Sequence, residues 1–286
     1  MKVRKAVIPA AGLGTRMLPA TKSIPKEMLP ILDRPAIEYI VEEAAASGIE
    51  DILIITNRGK GAIEDYFDYA PDLEESLKKS GKFETYERVR APVHHANVFF
   101  VRQKETKGLG HAVWCAKEFV GNEPFAVLSG DDVMLGDKPV LKQLIDVAVK
   151  YNASAVGAQW VSDEAVTRYC SLEIEKLEDK IFKMTDVIEK PPIEKKFSNY
   201  AILGRYVLVP EIFEILENTP PGAGGEIQLT DGLNVLCKRS DMVAVDFDAK
   251  RYDTGNLIGF METTLEFGLK HPEVGPWLRE YIANMK

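Results

Sequence analysis

Two glycines and three cationic side chains lie close together near the start of the chain. The motif Gly-Leu-Gly-Thr-Arg occupies residues 12–16, and Lys22 and Lys26 follow it. Glycines let backbone N–H groups approach an anion closely, and the Arg16 guanidinium offers a planar fork of donors that suits phosphate oxygens. An apolar run at residues 6–8 precedes the motif. The pattern indicates a buried strand that leads into a phosphate-binding loop.

Two further candidate residues follow apolar runs that predict strands. Asp131 comes after the run at residues 125–129, where a carboxylate is well placed to hold Mg²⁺ against phosphates. Paired aspartates also occur in solvated turns and helix caps, so this motif alone leaves both interpretations open. Gln103 follows the run at residues 97–101 and precedes a segment with two glycines, residues 107–112. Ligands of open α/β sheets bind at these strand ends, so we expect Gln103 there as well.

Charged residues later in the chain have a structural interpretation as well as a functional one. The Glu-Lys-Pro motif at residues 189–191 is typical of an exposed turn before proline. Asp253 precedes a helix that the apolar spacing of residues 257–265 predicts, and it is placed to cap that helix. The residue types alone do not distinguish a binding site from a turn or a cap.

The whole segment of residues 6–30 is more specific than its glycines. It lacks the Gly-Lys-Ser/Thr ending of a P-loop, and Met17 stands where the dinucleotide fingerprint has its third glycine. The segment instead resembles the signature of the sugar-1-phosphate nucleotidyltransferases. The string Ala-Thr-Lys-Ser-Ile-Pro-Lys-Glu-Met at residues 20–28 is similar in particular to the bacterial UTP–glucose-1-phosphate uridylyltransferases. Three later segments resemble the same family: residues 103–112, 189–191 and 225–231.

The resemblance implies a reaction and a role for each candidate residue. The reaction is transfer of the uridylyl group of UTP to α-D-glucose 1-phosphate, which gives UDP-glucose and pyrophosphate with Mg²⁺ as cofactor. The implied catalytic residues are Arg16, Lys26 and Lys190. The implied nucleotide-binding residues are Ala10, Ala11, Gly12, Gly14, Thr15, Gln103 and Gly108. The implied sugar-phosphate-binding residues are Cys170, Glu189, Lys190, Asn199, Gly204 and Glu226. The implied metal ligands are Asp131 and Asp253.

One position departs from the family pattern. Family members usually have glycine after the tyrosine that matches Tyr169, whereas this chain has Cys170. Its backbone N–H can still be donated to a sugar, but its Cβ crowds the pocket or changes the allowed dihedral angles. The sequence therefore leaves the geometry of sugar binding at this position open.

Composition argues against several classes of protein. The 286 residues carry a net charge of −8, which disfavours a broad nucleic-acid-binding surface. No run approaches the roughly 18 apolar residues of a membrane span, and Pro9 and Gly12 interrupt the apolar start before a signal sequence forms. The three cysteines are too few and too widely spaced for a disulfide framework or a zinc cluster. We expect a cytoplasmic protein with no nucleic-acid or membrane partner, and the resemblance implies a homo-oligomer, a dimer or a tetramer.

The predicted elements place the candidate residues along one edge of a sheet. The strand at residues 6–8 and the phosphate loop are followed by a helix that opens at Ala36 and ends at Gly48. A buried strand at residues 51–56 completes a βαβ unit, which is typical of a parallel sheet. Residues 59–90 are polar and predict an insertion at the sheet edge.

From about residue 165 the pattern changes to short strand-like runs that predict mixed strands. We expect an α/β fold with a Rossmann-like sheet, mixed but mainly parallel and flanked by helices, and with a smaller mixed-strand sugar-binding part. The resemblance implies the nucleotidyltransferase, glycosyltransferase-A-like form of this fold. We predict one nucleotidyltransferase domain over residues 1–286. Its parts are a nucleotide-binding part at about residues 1–160, a sugar-phosphate-binding part at about 161–260, and C-terminal helices at about 256–286.

Three alternative functions share parts of this pattern. Thymidylyl or adenylyl transfer to a hexose 1-phosphate fits the same fold, but the string at residues 20–28 favours uridylyl transfer. A non-catalytic nucleotide-sugar sensor would need the cleft but not both implied metal ligands together with Lys190. A nicotinamide-dependent oxidoreductase would need a glycine in place of Met17 and an acidic residue where Asn57 and Arg58 stand.

Overall fold

A nine-stranded sheet and two small two-stranded sheets form the framework of residues 1–285, which the computed structural model describes. The strands are β1 (Lys5–Pro9), β2 (Pro30–Ile31), β3 (Arg34–Pro35), β4 (Asp51–Thr56), β5 (Asn97–Arg102), β6 (Phe125–Leu128), β7 (Asp132–Leu135), β8 (Ser154–Trp160), β9 (Cys170–Glu178), β10 (Ile181–Glu189), β11 (Tyr200–Leu208), β12 (Met242–Asp246) and β13 (Lys250–Asp253).

Helices flank the sheet and close the chain. They are α1 (Ala36–Ala46), α2 (Gly61–Tyr66), α3 (Pro71–Lys79), α4 (Phe83–His94), α5 (Leu109–Trp114), α6 (Lys117–Val120), α7 (Val140–Tyr151), α8 (Asp163–Val166), α9 (Glu211–Asn218), α10 (Leu229–Arg239), α11 (Leu257–Lys270) and α12 (Val274–Asn284). Short 3₁₀ turns lie at Thr15–Met17, Ala20–Lys22, Lys26–Met28, Ile193–Lys195 and Ala223–Gly225. Within the described range, no helix combines the length and the apolar character needed to cross a bilayer.

The large sheet has the strand order β5-β4-β1-β6-β11-β8-β12-β10-β9. Parallel pairing joins β5, β4, β1 and β6, and it also joins β8 to β12. Antiparallel pairing places β11 between β6 and β8 and places β10 between β12 and β9. All strands of this sheet therefore run in one direction except β10 and β11, which confirms the predicted mixed and mainly parallel α/β fold.

The centre of the sheet is apolar on both faces because helices cover both sides. In β1, Ala6, Val7 and Ile8 are fully buried, as the apolar run at these positions predicts. The helix expected from Ala36 is also confirmed, and its buried side chains include Ile37, Ile40, Val41 and Ala44 at helical spacing. It ends before Gly48, whose φ of +91° suits glycine at a helix C-terminus.

The polar region at residues 59–90 contains α2, α3 and most of α4, a helix that the sequence did not predict. Among the described residues of α4, Tyr86 and Pro92 are buried, so the helix has little apolar periodicity. It leads into β5, one of the two edge strands of the large sheet. A mostly exposed helix with an internal proline gives only a weak sequence signal.

A small sheet made by β7 and β13 joins two distant parts of the chain. The strands pair antiparallel with Asp132 opposite Asp253. The backbone N and the Oγ1 of Thr254 donate hydrogen bonds to the carbonyl oxygen of Asp131, at 2.9 and 2.8 Å. The sequence predicted neither strand, yet their pairing brings Asp131 and Asp253 to the same place.

Candidate active site

A cavity of about 420 Å³ opens where β1, β5 and β6 end. We call it the nucleotide cleft. The predicted nucleotide-binding residues Ala11, Gly12, Thr15, Gln103 and Gly108 all line it. Other predicted site residues line it too: Lys26, Asp131 and Glu226. The cleft thus brings together residues that are more than two hundred positions apart in the sequence.

The phosphate loop is shaped by its glycines and by short turns. Gly14 has a φ of +68°, in the left-handed region that favours glycine, and its carbonyl oxygen accepts a 2.8 Å hydrogen bond from Oγ1 of Thr21. A Cβ at Gly12 would lie in ordinary van der Waals contact with Nζ of Lys26, at 3.8 Å, so this ammonium lies directly beside the loop. Ala10 is buried beneath the loop, where its N–H donates to the carbonyl oxygen of Ile55.

A buried ion pair supports the phosphate loop from behind. Nζ of Lys60 donates to both carboxylate oxygens of Glu27, at 2.9 and 2.8 Å, and both side chains are more than nine-tenths buried. Burial raises the pKa of Glu27 and lowers that of Lys60, while their mutual attraction opposes both shifts. Because Glu27 follows Lys26 directly, this pair fixes the backbone that carries Lys26. The sequence did not predict it.

Asp131 and Asp253 form a carboxylate pair held by two cations. Nζ of Lys26 donates to Oδ2 of Asp131 at 2.5 Å. The Arg16 guanidinium lies 3.6 Å from Asp131 and 3.5 Å from Asp253. A Cβ at Gly255 would come within 2.5 Å of an oxygen of Asp131 and 3.1 Å of an oxygen of Asp253, so glycine keeps the space between the carboxylates open.

The electrostatics of Asp131 and Lys26 favour their charged forms. Burial by itself would raise the pKa of Asp131, but the Lys26 ammonium and the Arg16 guanidinium outweigh it and hold the pKa below its usual value. Burial would likewise lower the pKa of Lys26, but the carboxylates of Asp131 and Glu27 raise it. Both residues are therefore ionised at neutral pH.

The carboxylate pair has the chemistry of a magnesium site that substrate completes. Carboxylate oxygens are hard ligands, and Mg²⁺ commonly binds through one or two of them together with substrate phosphates and water. Residues 1–285 contain no group of three or more His, Cys, Asp or Glu side chains arranged to hold a metal by themselves. The two carboxylates and the open space at Gly255 fit an ion of this kind.

The side of the cleft predicted to bind the base is closely packed. Gly108 has a φ of +103°, and a Cβ there would lie 2.7 Å from both Cβ of Glu226 and the carbonyl oxygen of Ile227. The N–H of Ile227 donates to the carbonyl oxygen of Lys107 at 2.7 Å. Gln103 is only 4% exposed and faces this packed region. A glycine is therefore required at position 108.

Three of the six predicted sugar-phosphate residues lie on β9, on β10 and in the turn after β10. Glu189 pairs with Cys170 across these strands. Lys190 follows with a φ of +43°, a conformation that is rare for a lysine, and its N–H donates to the carbonyl oxygen of Tyr169. Its side chain is 51% exposed, with Nζ 3.6 Å from Glu189. Strained residues of this kind are concentrated at functional sites.

Cys170 is turned into the protein. Its Sγ accepts a 3.2 Å hydrogen bond from the N–H of Ile202, and the residue is 3% exposed. Burial raises the pKa of its thiol to about 12, so the side chain stays neutral. The extra side chain at this position is thus accommodated inside the sheet.

Asn199 and Gly204 occupy different surroundings. The amide of Asn199 donates to the carbonyl oxygen of Val161 at 3.0 Å and to Asp163 at 2.6 Å, and its oxygen accepts from Lys196. A Cβ at Gly204 would lie 2.3 Å from Oδ2 of Asp132, so this glycine makes room for that carboxylate. Contact of either residue with a sugar stays a prediction.

Comparison with known proteins assigns the family. The model of the nucleotidyl transferase family matches residues 5–268. This chain belongs to that family. The nucleotidyl transferase is 53% identical over 284 residues to a UTP–glucose-1-phosphate uridylyltransferase of Bacillus subtilis, covering 99% of this chain and 97% of the relative. It is 50% identical over 284 residues to one of Staphylococcus epidermidis, with 99% of each chain covered. The family resemblance expected from the sequence is confirmed.

Solved structures show the same fold. A UTP-bound UGPase of Acinetobacter baumannii is 39% identical, with a TM-score of 0.92 and complete coverage of both chains. A UDP-glucose pyrophosphorylase complexed with UDP-glucose is 43% identical, with a TM-score of 0.86, and covers 94% of this nucleotidyl transferase and 100% of its own chain.

Arg251 of this nucleotidyl transferase contacts residues next to the candidate site, and the sequence did not predict it. Its guanidinium contacts Oδ1 of Asp132 at 2.6 Å and donates to the Tyr169 hydroxyl at 2.9 Å. It also lies 4.8 Å from the centre of the Tyr169 ring. The residue connects the strand after Asp131 with the start of the sugar-phosphate region. Its position two residues before Asp253 was the available signal.

Proposed function

We propose that this enzyme transfers the uridylyl group of UTP to α-D-glucose 1-phosphate, giving UDP-glucose and pyrophosphate. The observation that carries the proposal is the meeting of the carboxylate pair with Arg16 and Lys26 beside the nucleotide cleft. The likeness to uridylyltransferases over nearly the whole chain supports the choice of nucleotide and sugar. Both substrates are anions, so the main tasks of the protein are to align them and to neutralise their charge.

The nucleotide would be held mainly by the phosphate loop and the base-binding side of the cleft. Backbone N–H groups at residues 11–15 and the Arg16 guanidinium would bind the triphosphate and the departing pyrophosphate. Lys26, which pairs with Asp131 in the free protein, would turn to the α-phosphate. Gln103 and Gly108 would face the uracil ring.

The sugar phosphate would enter from the side of Lys190. This lysine would dock the attacking phosphate, and Glu189 and Glu226 would hold sugar hydroxyls. An oxygen of glucose 1-phosphate then attacks the α-phosphorus of UTP. The new P–O bond forms as the bond between the α-phosphorus and the bridging oxygen breaks, and the electron pair leaves with pyrophosphate. No general base is required because a phosphate monoester is already largely ionised at neutral pH.

Asp131 and Asp253 would hold Mg²⁺, which supplies positive charge against the phosphate oxygens when it is bound. The Asp131 carboxylate keeps its charge because Lys26 and Arg16 lie beside it and hold its pKa below the usual value. Assembly into a dimer or tetramer and a cytoplasmic location stay predictions.

The deciding experiment measures pyrophosphate release from UTP, dTTP, CTP, ATP and GTP, each with glucose 1-phosphate and Mg²⁺. We expect UTP to give the highest kcat/KM, with dTTP reduced modestly, because one methyl group in a fitted pocket changes binding by roughly 1–3 kcal/mol. Purine nucleotides should be used very poorly. Equal use of ATP and UTP, or a preference for dTTP, would contradict uridylyl transfer and favour one of the related reactions.

A further inference from the structure

The amide of Gln103 is held in one orientation inside the nucleotide cleft. Its Nε2 lies 3.3 Å from the carbonyl oxygen of Gly108 and 2.8 Å from Nδ1 of His111. A carbonyl oxygen only accepts hydrogen bonds, so the end of the amide that faces Gly108 has to be the NH₂ group. The backbone of Gln103 is fixed as well, because its N–H donates to the carbonyl oxygen of Thr56 at 2.8 Å.

His111 has to act as an acceptor in this arrangement. The NH₂ group donates to Nδ1, so Nδ1 carries a lone pair and the neutral ring carries its proton on Nε2. Burial and the positive charge of Lys107 lower the pKa of His111, against a smaller opposing effect of Glu105, which favours the neutral ring. The ring also stacks on Trp114, with centroids 5.9 Å apart and planes inclined by 23°.

The oxygen of the Gln103 amide is left for a ligand. Both N–H bonds of the NH₂ group are used by Gly108 and His111. Across residues 1–285, no donor is bonded to Oε1, and the side chain lines the cleft. The cleft therefore presents a fixed acceptor at this point rather than an amide that is free to turn over.

We propose that His111 is a positioning residue that sets base specificity, because its Nδ1 locks the Gln103 amide with Oε1 towards the base and so selects uracil over cytosine. This rests on the proposed function, in which Gln103 faces the pyrimidine of UTP. His111 itself need not touch the nucleotide.

The selection follows from the edges of the two bases. Uracil has an N3–H donor, whereas cytosine has an unprotonated N3 with a lone pair at the same ring position. A fixed Oε1 accepts from the N3–H of uracil and is repelled by the lone pair of cytosine. An amide turned over would present NH₂ and favour cytosine instead. Thymine has the same N3–H as uracil, so His111 should not affect the choice between UTP and dTTP.

The test compares kcat/KM for UTP, CTP and dTTP in the wild-type enzyme, His111→Leu and His111→Asn. Leucine removes the acceptor, so we expect the UTP-to-CTP ratio to fall roughly tenfold or more, the usual effect of leaving a buried polar group without its partner. Asparagine retains an acceptor oxygen close to the position of Nδ1 and should recover most of the ratio. The UTP-to-dTTP ratio should be the same in all three proteins.

A His111→Leu enzyme with the wild-type UTP-to-CTP ratio and an unchanged KM for glucose 1-phosphate would overturn the inference. A wild-type enzyme that does not prefer UTP would instead contradict the proposed function, so the two failures are distinguishable.

A second measurement needs neither turnover nor the His111→Leu variant. In ¹⁵N-histidine NMR of the full-length protein, we expect His111 to be the Nε2–H tautomer, with an Nδ1 shift that changes in Gln103→Leu. The His111 signal is assigned by its loss in His111→Asn. An Nδ1–H tautomer in the wild-type protein would overturn the inference.

Discussion

The nucleotide cleft and the sugar-phosphate region are built by different means. In the cleft, ligand-facing groups are fixed by backbone packing and buried partners: Gly108 lies against residues 226–227, and Glu27 pairs with Lys60 beneath the loop. In the sugar-phosphate region, the main cation is Lys190, which is half-exposed and has a left-handed backbone. The cleft is shaped in advance, whereas in the proposed reaction Lys190 would gain its main partner only when the sugar phosphate binds.

Because the two regions differ in this way, we expect substitutions in each of them to change different properties of the enzyme. A cleft with fixed donors and acceptors selects its ligand by shape and hydrogen bonding, so changes there should alter nucleotide affinity and choice. An exposed lysine contributes charge, so its loss should affect the affinity and reactivity of the sugar phosphate. The carboxylate pair would hold the Mg²⁺ that the proposed reaction uses, so changes there should affect both substrates.

Loss of either member of the carboxylate pair should have the largest effect. Asp131→Asn or Asp253→Asn removes a charge that the proposed reaction needs, and we expect kcat to fall by about 10²–10³ or more. The measurement is pyrophosphate release across a Mg²⁺ titration. Asp137→Asn, at an exposed position outside the cleft, should retain wild-type turnover. Normal turnover in both pair variants at limiting Mg²⁺ would show that the carboxylates do not hold the metal.

Lys190→Ala should separate the two substrates. We expect kcat/KM for glucose 1-phosphate to fall by about 10²–10³, with a much smaller change in the affinity for UTP. Initial-rate kinetics with each substrate varied in turn will measure this, and Lys195→Ala, an exposed lysine in the following turn, is the matched control. A variant that loses UTP affinity instead would place Lys190 on the nucleotide side.

Gly108→Ala should weaken nucleotide binding through a steric collision. The added Cβ would lie 2.7 Å from backbone and side-chain atoms at residues 226–227, so the segment of residues 226–227 has to move. We expect UTP affinity, measured by calorimetry, to fall about tenfold or more. Gly48→Ala has a similar φ, +91°, with no atom within 4 Å of its Cβ, so it should lose stability without losing UTP affinity. Equal UTP binding by both variants would contradict the inference that close packing of Gly108 against residues 226–227 shapes the nucleotide site.

The smallest expected effect concerns the pH dependence of stability at Glu189. Burial raises the pKa of this carboxyl above its usual value of 4.5, against opposing contributions from Thr230 and Lys190. The folded state therefore holds its proton to higher pH than the unfolded state. The stability linked to this group is complete below about pH 4.5 and is lost as pH rises through the folded-state pKa.

Thermal unfolding of the wild-type protein and Glu189→Gln across pH 4 to 8 measures this linkage. The stability of the wild-type protein relative to the glutamine variant should decline as pH rises through this window. A relative stability that increases with pH would mean that the carboxylate is stabilised rather than penalised by its surroundings.

The sequence by itself determined the local parts of this protein. The apolar runs predicted β1, β4, β5 and β6, and the spacing after Ala36 predicted α1. Burial of one side of a helix, or of both faces of strands such as β1, β4 and β6, leaves a regular pattern. The run of β5 is apolar too, although this strand lies at the sheet edge and is mostly exposed. The glycines at residues 12 and 14, together with Arg16, Lys22 and Lys26, predicted the phosphate loop. The family resemblance then assigned roles to single residues such as Asp253, for which the local pattern equally allowed a helix cap.

Only the tertiary structure decided which distant residues meet. Asp131 and Asp253 converge because β7 and β13 pair, and neither short strand has a pattern of its own. The Glu27–Lys60 ion pair, the acceptor role of His111 and the inward turn of Cys170 also depend on contacts across the fold. A sequence pattern records the burial of each residue but not its partner, since partners are set by how separate elements pack together.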